Sequence, residues 1–205
     1  MKREPHLILH GLAIKKYAGA KEVAGIVGLN PAYVAEFLDA QVARGRLMVG
    51  NGKYSMLPTT RVAVTGDYSR HYGDLRSVPE FVQAYEDFEA VNLTLKALIT
   101  NWQVVEIQGS AVANDHADKA YDDAIIDRLG RLHERAEIVL AALARHLPRL
   151  KIYRDKLTAA LERAEDGAIE WVSDARIESY HTLWFELHED LLCIMGRERD
   201  ENGTL

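Results

Sequence analysis

Histidine and acidic side chains at helical spacing are the first candidates for chemistry in this 205-residue chain. His133 and Glu137 are four residues apart in the segment HERAE, and His181 and His188 are seven residues apart in the segment YHTLWFELHEDLL. Because imidazole and carboxylate groups bind zinc and similar ions, these four side chains would form a metal site if their helices brought them together. The alternative is that they are ordinary histidines at the edge of a buried helix face. Spacing alone leaves both interpretations open.

The same C-terminal segment has the periodicity of a core helix. Its apolar residues recur at alternating intervals of three and four, which is the pattern of a helix with one buried face. These positions are Ile177, Tyr180, Trp184, Leu187, Leu191 and Ile194. The pattern predicts a last helix from about Asp174 to Met195, whose aromatic residues belong to the core.

The sequence contains no recognised catalytic motif. It has no nucleophile elbow, no HExxH zinc motif, no dinucleotide fingerprint and no glycine-rich phosphate loop. Paired acids such as Glu189-Asp190 are typical of solvated helix faces. We therefore predict a protein that is not an enzyme and has no cofactor, apart from the metal ion considered above.

The composition is that of an ordinary soluble globular protein, but charge is distributed unevenly along the chain. Hydrophobic residues make up 48% of the chain and charged residues 27%. Residues 1–70 carry ten Lys and Arg against five Asp and Glu, whereas the whole chain has a net charge of −6. A basic front and an acidic rear predict two modules with different partners. Cys193 is the only cysteine, which excludes an intrachain disulfide, and no apolar run reaches membrane-spanning length, so we expect a cytoplasmic protein.

The N-terminal part has the pattern of three short helices and a hairpin. Apolar periodicity predicts helices over 6–17, 21–27 and 31–44, each ended by a glycine. Asn30 before Pro31 marks a helix start, because the Asn side chain caps the helix and Pro suits its first position. Alternating residues on either side of Gly50-Asn51-Gly52 predict a hairpin.

The segment AKEVAGIVGLNPAYVAEFLDAQVARG, with the hairpin after it, resembles the bacterial winged helix-turn-helix regulators. The resemblance covers about the first 57 residues. It implies that the third helix enters the major groove of DNA and that the hairpin, or wing, contacts phosphate. By position, the base-edge candidates are Ala32, Tyr33 and Glu36, behind the capping residue Asn30, and the phosphate candidates are Lys21, Arg44, Lys53 and Arg61.

The third helix departs from that family in its charge. Its first two turns offer Tyr33, Glu36 and Asp39, with no cation before Arg44, whereas DNA-reading helices usually carry donors near their start. Glu36 could accept a hydrogen bond from a cytosine amine, but two acids facing phosphates reduce affinity. A winged helix used for protein contact is therefore the alternative to DNA binding.

The C-terminal part is predicted to be helical. Long apolar stripes indicate four helices with coiled-coil-like seams, which suggests a bundle. Asn92 interrupts the first stripe, either as a buried polar residue that fixes helix register or as an edge position. A polar loop is expected at 106–120. The predicted fold is mainly α, with a winged helix-turn-helix domain at 1–58, a linker at 59–76 that is either helix or loop, and a helical bundle-like domain at 77–205.

The segments NDHAD, DRLGRLHERAE and SDARIESYHTLWFELHEDLLCIMGRE resemble a helical segment that accompanies pyruvate,phosphate dikinase-like PEP-utilising enzymes of some bacteria. This resemblance covers most of the rear half and implies an accessory domain for such an enzyme. The helical effector domains of some GntR-type regulators are about as long as the C-terminal part of this chain. They carry a metal site of acidic and histidine ligands, but the spacing of those ligands differs from that of the four candidates here.

Two main functions follow from these patterns, and a metal-dependent enzyme in the helical domain is the last alternative. We expect a transcriptional regulator that binds double-stranded DNA, with a helical dimerisation or effector domain, acting as a homodimer. The alternative is a non-catalytic accessory protein of a PEP-utilising enzyme, which would use the winged helix for protein docking.

Overall fold

The computed structural model describes residues 3–107 and 109–198 of the chain. Within these ranges the protein is mainly helical, with two short antiparallel hairpins, so the predicted mainly α class is confirmed. The described residues form two compact units. The first comprises the residues up to Val78 together with those from Glu186 onwards, and the second comprises Pro79–Phe185.

The first unit begins with the three helices and the hairpin that the sequence predicts. Helices α1 (Arg3–Lys15), α2 (Ala20–Val27) and α3 (Pro31–Ala43) are followed by strands β1 (Leu47–Gly50) and β2 (Lys53–Met56). The two strands pair antiparallel. Each boundary falls within a few residues of the position predicted from periodicity.

Local signals explain these boundaries. Gly28 ends α2 in the left-handed conformation, at φ 72°. The side chain of Asn30 accepts hydrogen bonds from the first free backbone amides of α3, as a helix cap does. Asn51 and Gly52 both have positive φ, which a two-residue turn of type I′ requires at the tip of a hairpin.

The segment predicted as a linker, 59–76, is mostly helical and belongs to the first unit. Helix α4 spans Pro58–Tyr72, packs against α1, and is followed by a 3-10 turn at Leu75–Ser77. The buried residues of α4 recur at every fourth position, at Thr60, Val64, Tyr68 and Tyr72. Because three of these four side chains carry a hydroxyl group, the hydropathy of the sequence does not reveal this buried helix face.

The end of the last helix also belongs to the first unit, outside the domain limits predicted from the sequence. Helix α9 spans Tyr180–Met195. The Asp190 carboxylate lies 2.9 Å from Nε2 of His10, and Nζ of Lys15 lies 2.8 Å from the Glu186 carboxylate. These largely buried polar contacts join residues that are far apart in the sequence, so no local pattern predicts them.

The second unit contains two long helices and shorter ones after them. Helices α5 (Pro79–Gln103), α6 (Lys119–His146), α7 (Lys151–Glu165) and α8 (Glu170–Ser173) are followed by the first residues of α9. Both long apolar stripes predicted from the sequence are buried. Their members are Phe81, Tyr85, Phe88, Asn92, Leu95, Ile99, Trp102, and Ile125, Leu129, Leu132, Ala136, Val139, Leu143, Leu147.

Two predictions for the second unit are wrong in detail. The expected polar loop begins with a hairpin, in which β3 (Val104–Ile107) pairs antiparallel with β4 (Ser110–Ala113). All of β4 is exposed, so apolar alternation does not mark the hairpin in the sequence. Helix α9 begins at Tyr180 and not near position 174, because the Ser179 hydroxyl accepts a hydrogen bond from the amide of Thr182 and so caps the helix there.

Candidate functional site

The start of α3 carries the residues predicted to face base edges. Ala32, Tyr33 and Glu36 are all exposed. Oδ1 of Asn30 is 2.9 Å from the amide of Ala32, so this side chain caps the helix. The Tyr33 hydroxyl donates to the Glu4 carboxylate over 3.4 Å. The exposed start of α3 therefore offers an acceptor and an aromatic ring and lacks a row of donors.

Asp39, one of the two acids on α3, has a structural partner in the hairpin. Its Oδ1 accepts a hydrogen bond of 2.7 Å from the hydroxyl of Tyr54 on β2. This hydrogen bond, with burial and the carboxylate charge, raises the pKa of Tyr54. Asp39 thereby connects the hairpin to α3. This contact accounts for an acid on a helix face where the resemblance to winged helix-turn-helix regulators leads one to expect hydrogen-bond donors.

Backbone pairing also holds the hairpin in place. Ala18, between α1 and α2, pairs with Tyr54 through two backbone hydrogen bonds of 3.2 and 2.8 Å. The Tyr17 hydroxyl donates to the Gly50 carbonyl over 2.7 Å. The hairpin is therefore tied to the helical part of the first unit on both of its strands.

The four cations predicted to contact phosphate differ in their surroundings. Lys21, Arg44 and Arg61 are exposed. Nζ of Lys53 lies 3.8 Å from the Glu22 carboxylate, and both side chains are about half exposed. An exposed ion pair of this kind contributes only about 0–1 kcal/mol, so exchanging Glu22 for a phosphate would cost Lys53 little.

The sequence analysis did not single out the apolar surface of the hairpin. Met48 and Val49 on β1 are 56% and 49% exposed, and Tyr17 and Tyr33 are also exposed. Successive side chains of a strand point to opposite faces, so two adjacent apolar residues in a two-stranded hairpin are a signal of such exposure. Exposed apolar side chains of this kind are suited to protein contact.

His133, the centre of the metal site predicted from the sequence, is held by hydroxyl groups. Its Nδ1 lies 3.1 Å from the Tyr180 hydroxyl, and its Nε2 lies 3.1 Å from the Thr158 hydroxyl. Nε2 is also 4.0 Å from the Glu137 carboxylate. Burial lowers the pKa of His133, so the ring is neutral near neutral pH.

His181 and His188 do not join His133 and Glu137 in a ligand group. His181 is half-buried in the second unit, and burial lowers its pKa. His188 is buried and belongs to the first unit. In the described part of the chain, no group of three or more side chains close enough to share a metal ion includes any of the four predicted residues. His133, His181 and His188 have the surroundings of histidines on packed helix faces, and Glu137 is exposed.

A ligand group that the sequence analysis missed lies in the first unit. It consists of His6 on α1 with Asp67 and His71 on α4, and one ligand atom from each lies within 4.8 Å of the others. The sequence signal is a pair of (i, i+4) spacings, His6 with His10 and Asp67 with His71, because residues four apart share a helix face. Their meeting depends on the packing of α4 against α1, and the sequence analysis had left α4 unassigned.

No helix in the described ranges has both the length and the apolar character needed to cross a membrane. Comparison of the chain with protein-family models, with curated proteins and with solved structures gives no match.

Proposed function

We propose that the first unit is a winged helix-turn-helix module that binds double-stranded DNA, and that the chain is a transcriptional regulator. The observation that carries this proposal is the exposed first turn of α3, a helix that contacts α2 and strand β1 of the hairpin. In a winged helix this helix enters the major groove by its N-terminal residues, and the hairpin contacts the DNA backbone. The second unit is then the helical dimerisation or effector domain.

Phosphate contacts supply most of the affinity in this proposal, because the first turn of α3 is poor in donors. The cations available for them are the exposed Lys21, Arg44 and Arg61 and the weakly paired Lys53. Four phosphate contacts per protomer predict that log affinity falls against log salt with a slope of about −3.6 per half-site.

Fluorescence anisotropy over a salt series, with duplex DNA from upstream of the protein's own gene, tests the proposal. Lys53→Ala is expected to weaken binding to all sequences alike and to flatten the slope by about one unit. Glu36→Ala is expected to alter sequence preference or to strengthen non-specific binding, since it removes an exposed acid from α3.

Lys119→Ala is the matched control, because this exposed lysine lies in the second unit and pairs with Asp123. Its affinity and salt slope should equal those of the wild-type protein. Absence of binding at low salt would refute DNA recognition by the first unit.

Protein docking is the second candidate function, and the exposed apolar residues Met48 and Val49 favour it. Aromatic residues and methionine are enriched at protein interfaces, and an exposed acid such as Glu36 is no disadvantage there. The partner is the PEP-utilising enzyme that the resemblance of the rear half implies, and the chain is then its non-catalytic accessory protein.

Docking predicts weak binding of duplex DNA at every salt concentration and co-purification of a PEP-utilising enzyme with the chain. Tyr33→Ala should abolish this co-purification. Val62→Ala, at a well-exposed position on α4, is the control and should leave it intact. DNA binding with the predicted salt slope, without such an enzyme in the purified material, would refute docking.

A further inference from the structure

We propose that His6, Asp67 and His71 form a binding site for a divalent transition-metal ion, with zinc as the expected ion. One ligand atom from each residue lies within 4.8 Å of the other two. Two ligands at about 2.1 Å from a shared zinc ion are about 3.4 Å apart in a tetrahedral site, so each distance between ligand atoms must close by at most about 1.4 Å. Two imidazoles and a carboxylate are a common ligand set for zinc and other first-row divalent ions.

The burial of His6 is an independent sign of a ligand. Its side chain is 1% exposed, and neither of its ring nitrogens has a hydrogen-bond partner among the residues that the structure describes. Buried polar groups are nearly always hydrogen-bonded, because an unpaired one costs stability. A metal ion bound to one nitrogen of His6 would compensate for part of this cost.

His6 also has the protonation state that a ligand needs. Burial, together with the neighbouring His71 and His10, lowers the pKa of His6 to about 3. The ring is therefore neutral near neutral pH, as it must be to donate a lone pair to a metal ion.

Two packed helices position the ligands. Asp67 and His71 are one turn apart on α4 and share a face, and α4 packs against α1, which carries His6. The His6 and His71 rings are stacked with their centroids 4.0 Å apart. An open pocket of about 290 Å³ beside this group is lined in part by Leu9, Thr60 and Asp67.

His10 lies beside this group but is not one of the proposed ligands. Its Nδ1 is 2.9 Å from the Tyr68 hydroxyl and its Nε2 is 2.9 Å from the Asp190 carboxylate, so both nitrogens are engaged. The protein then supplies three ligands. A zinc site with three protein ligands keeps a fourth position for water or for an external ligand.

The test uses the untagged full-length chain, stripped of metal with a chelator and titrated with Zn²⁺ and with Co²⁺. We expect one equivalent of either ion per chain, a rise in Tm on binding, and a cobalt absorption spectrum typical of nitrogen and oxygen ligands. Asp67→Asn and His71→Ala, at half-buried positions, should each weaken binding by about tenfold or more while the circular dichroism spectrum stays unchanged.

His181→Ala is the matched control, because it removes a half-buried histidine of the second unit. It should leave the affinity for both ions unchanged. Loss of binding in His181→Ala with retention in His71→Ala would overturn the proposal in favour of the second-unit histidines. Folded wild-type protein without stoichiometric binding, or equal affinity in Asp67→Asn, His71→Ala and the wild type, would also overturn it. Since no DNA is involved, this result is independent of the proposed DNA binding.

Discussion

The buried hydrogen bond between Asn92 on α5 and Trp184 on α9 should contribute measurably to the stability of the second unit. Oδ1 of Asn92 accepts from Nε1 of Trp184 at 3.0 Å, and the two residues are 4% and 3% exposed. Replacing Asn92 by Ala leaves the indole N–H buried without this acceptor. The penalty for such a group is about 1–3 kcal/mol, so we expect Asn92→Ala to lower the free energy of unfolding of the second unit by that amount.

A double-mutant cycle separates this bond from other effects of the substitution. Trp184→Phe removes the indole N–H but keeps an aromatic ring against Phe88, whose centroid is 4.8 Å from that of Trp184. In the double variant neither polar group is left unpaired. Its loss of stability should therefore be smaller than the sum of the two single losses by about 1–2 kcal/mol.

Urea unfolding followed by tryptophan fluorescence measures these differences. Trp102, Trp171 and Trp184 are the three tryptophans of the chain and all lie in the second unit, so the signal reports the unfolding of that unit. Leu93→Ala is the control, because Leu93 is 67% exposed next to Asn92 and its truncation should change stability by less than about 0.5 kcal/mol. Single losses that add to within about 0.5 kcal/mol would refute the coupling.

Further predictions concern pH, packing and assembly. Burial lowers the pKa of His133 below its usual value of 6.5. As the pH falls, this imidazole therefore takes up a proton in the unfolded chain before it does so in the folded protein. The free energy of unfolding of the second unit should therefore decrease from about pH 7 to pH 5, and equal pH slopes for the wild type and His133→Gln in urea titrations would contradict this. In thermal melts by circular dichroism, Gly11→Ala should destabilise the protein by about 1–3 kcal/mol, because the added Cβ would lie 2.6 Å from Val27. Gly66→Ala, at an exposed position on α4 with open space around it, should stabilise the protein by about 0.5–1 kcal/mol. The opposite order of these two Tm changes would show that the α1–α2 contact is looser than the structure indicates. Sedimentation at tens of micromolar should show a two-fold dimer, and a monomer would count against both the dimer and the reading of paired DNA half-sites.

The elements of the chain are largely predictable because their signals act within a few residues. Asn30 with Pro31 marks the start of α3, and Asn51-Gly52 marks the tip of the first hairpin. The apolar stripes of α5 and α6 follow from helical periodicity and are buried as expected. Helix α4 and the second hairpin are not predictable in this way, since one buries hydroxyl-bearing side chains and the other leaves all of β4 exposed.

The candidate sites are less predictable, because periodicity identifies the buried face of a helix but does not identify its partner. Asn92 was expected to be either buried or at the edge of the apolar helix face, and in the structure it is buried and accepts a hydrogen bond from Trp184. His133 was expected to meet either a metal or the core, and the hydroxyls of Tyr180 and Thr158 surround it. In each case the sequence defined the alternatives, and the neighbouring helix selected between them.

The sequence by itself determined the mainly helical class, most element limits and the exposure of the start of α3, because caps, turns and apolar spacing are local properties. Only the tertiary structure decided that the end of α9 joins the first unit, where Asp190 meets His10 across 180 residues of sequence. Only the packing of α4 on α1 brought His6 to Asp67 and His71. The physical reason is that such contacts depend on which buried faces pack together, and the residue pattern of a single helix does not specify which other helix packs against it.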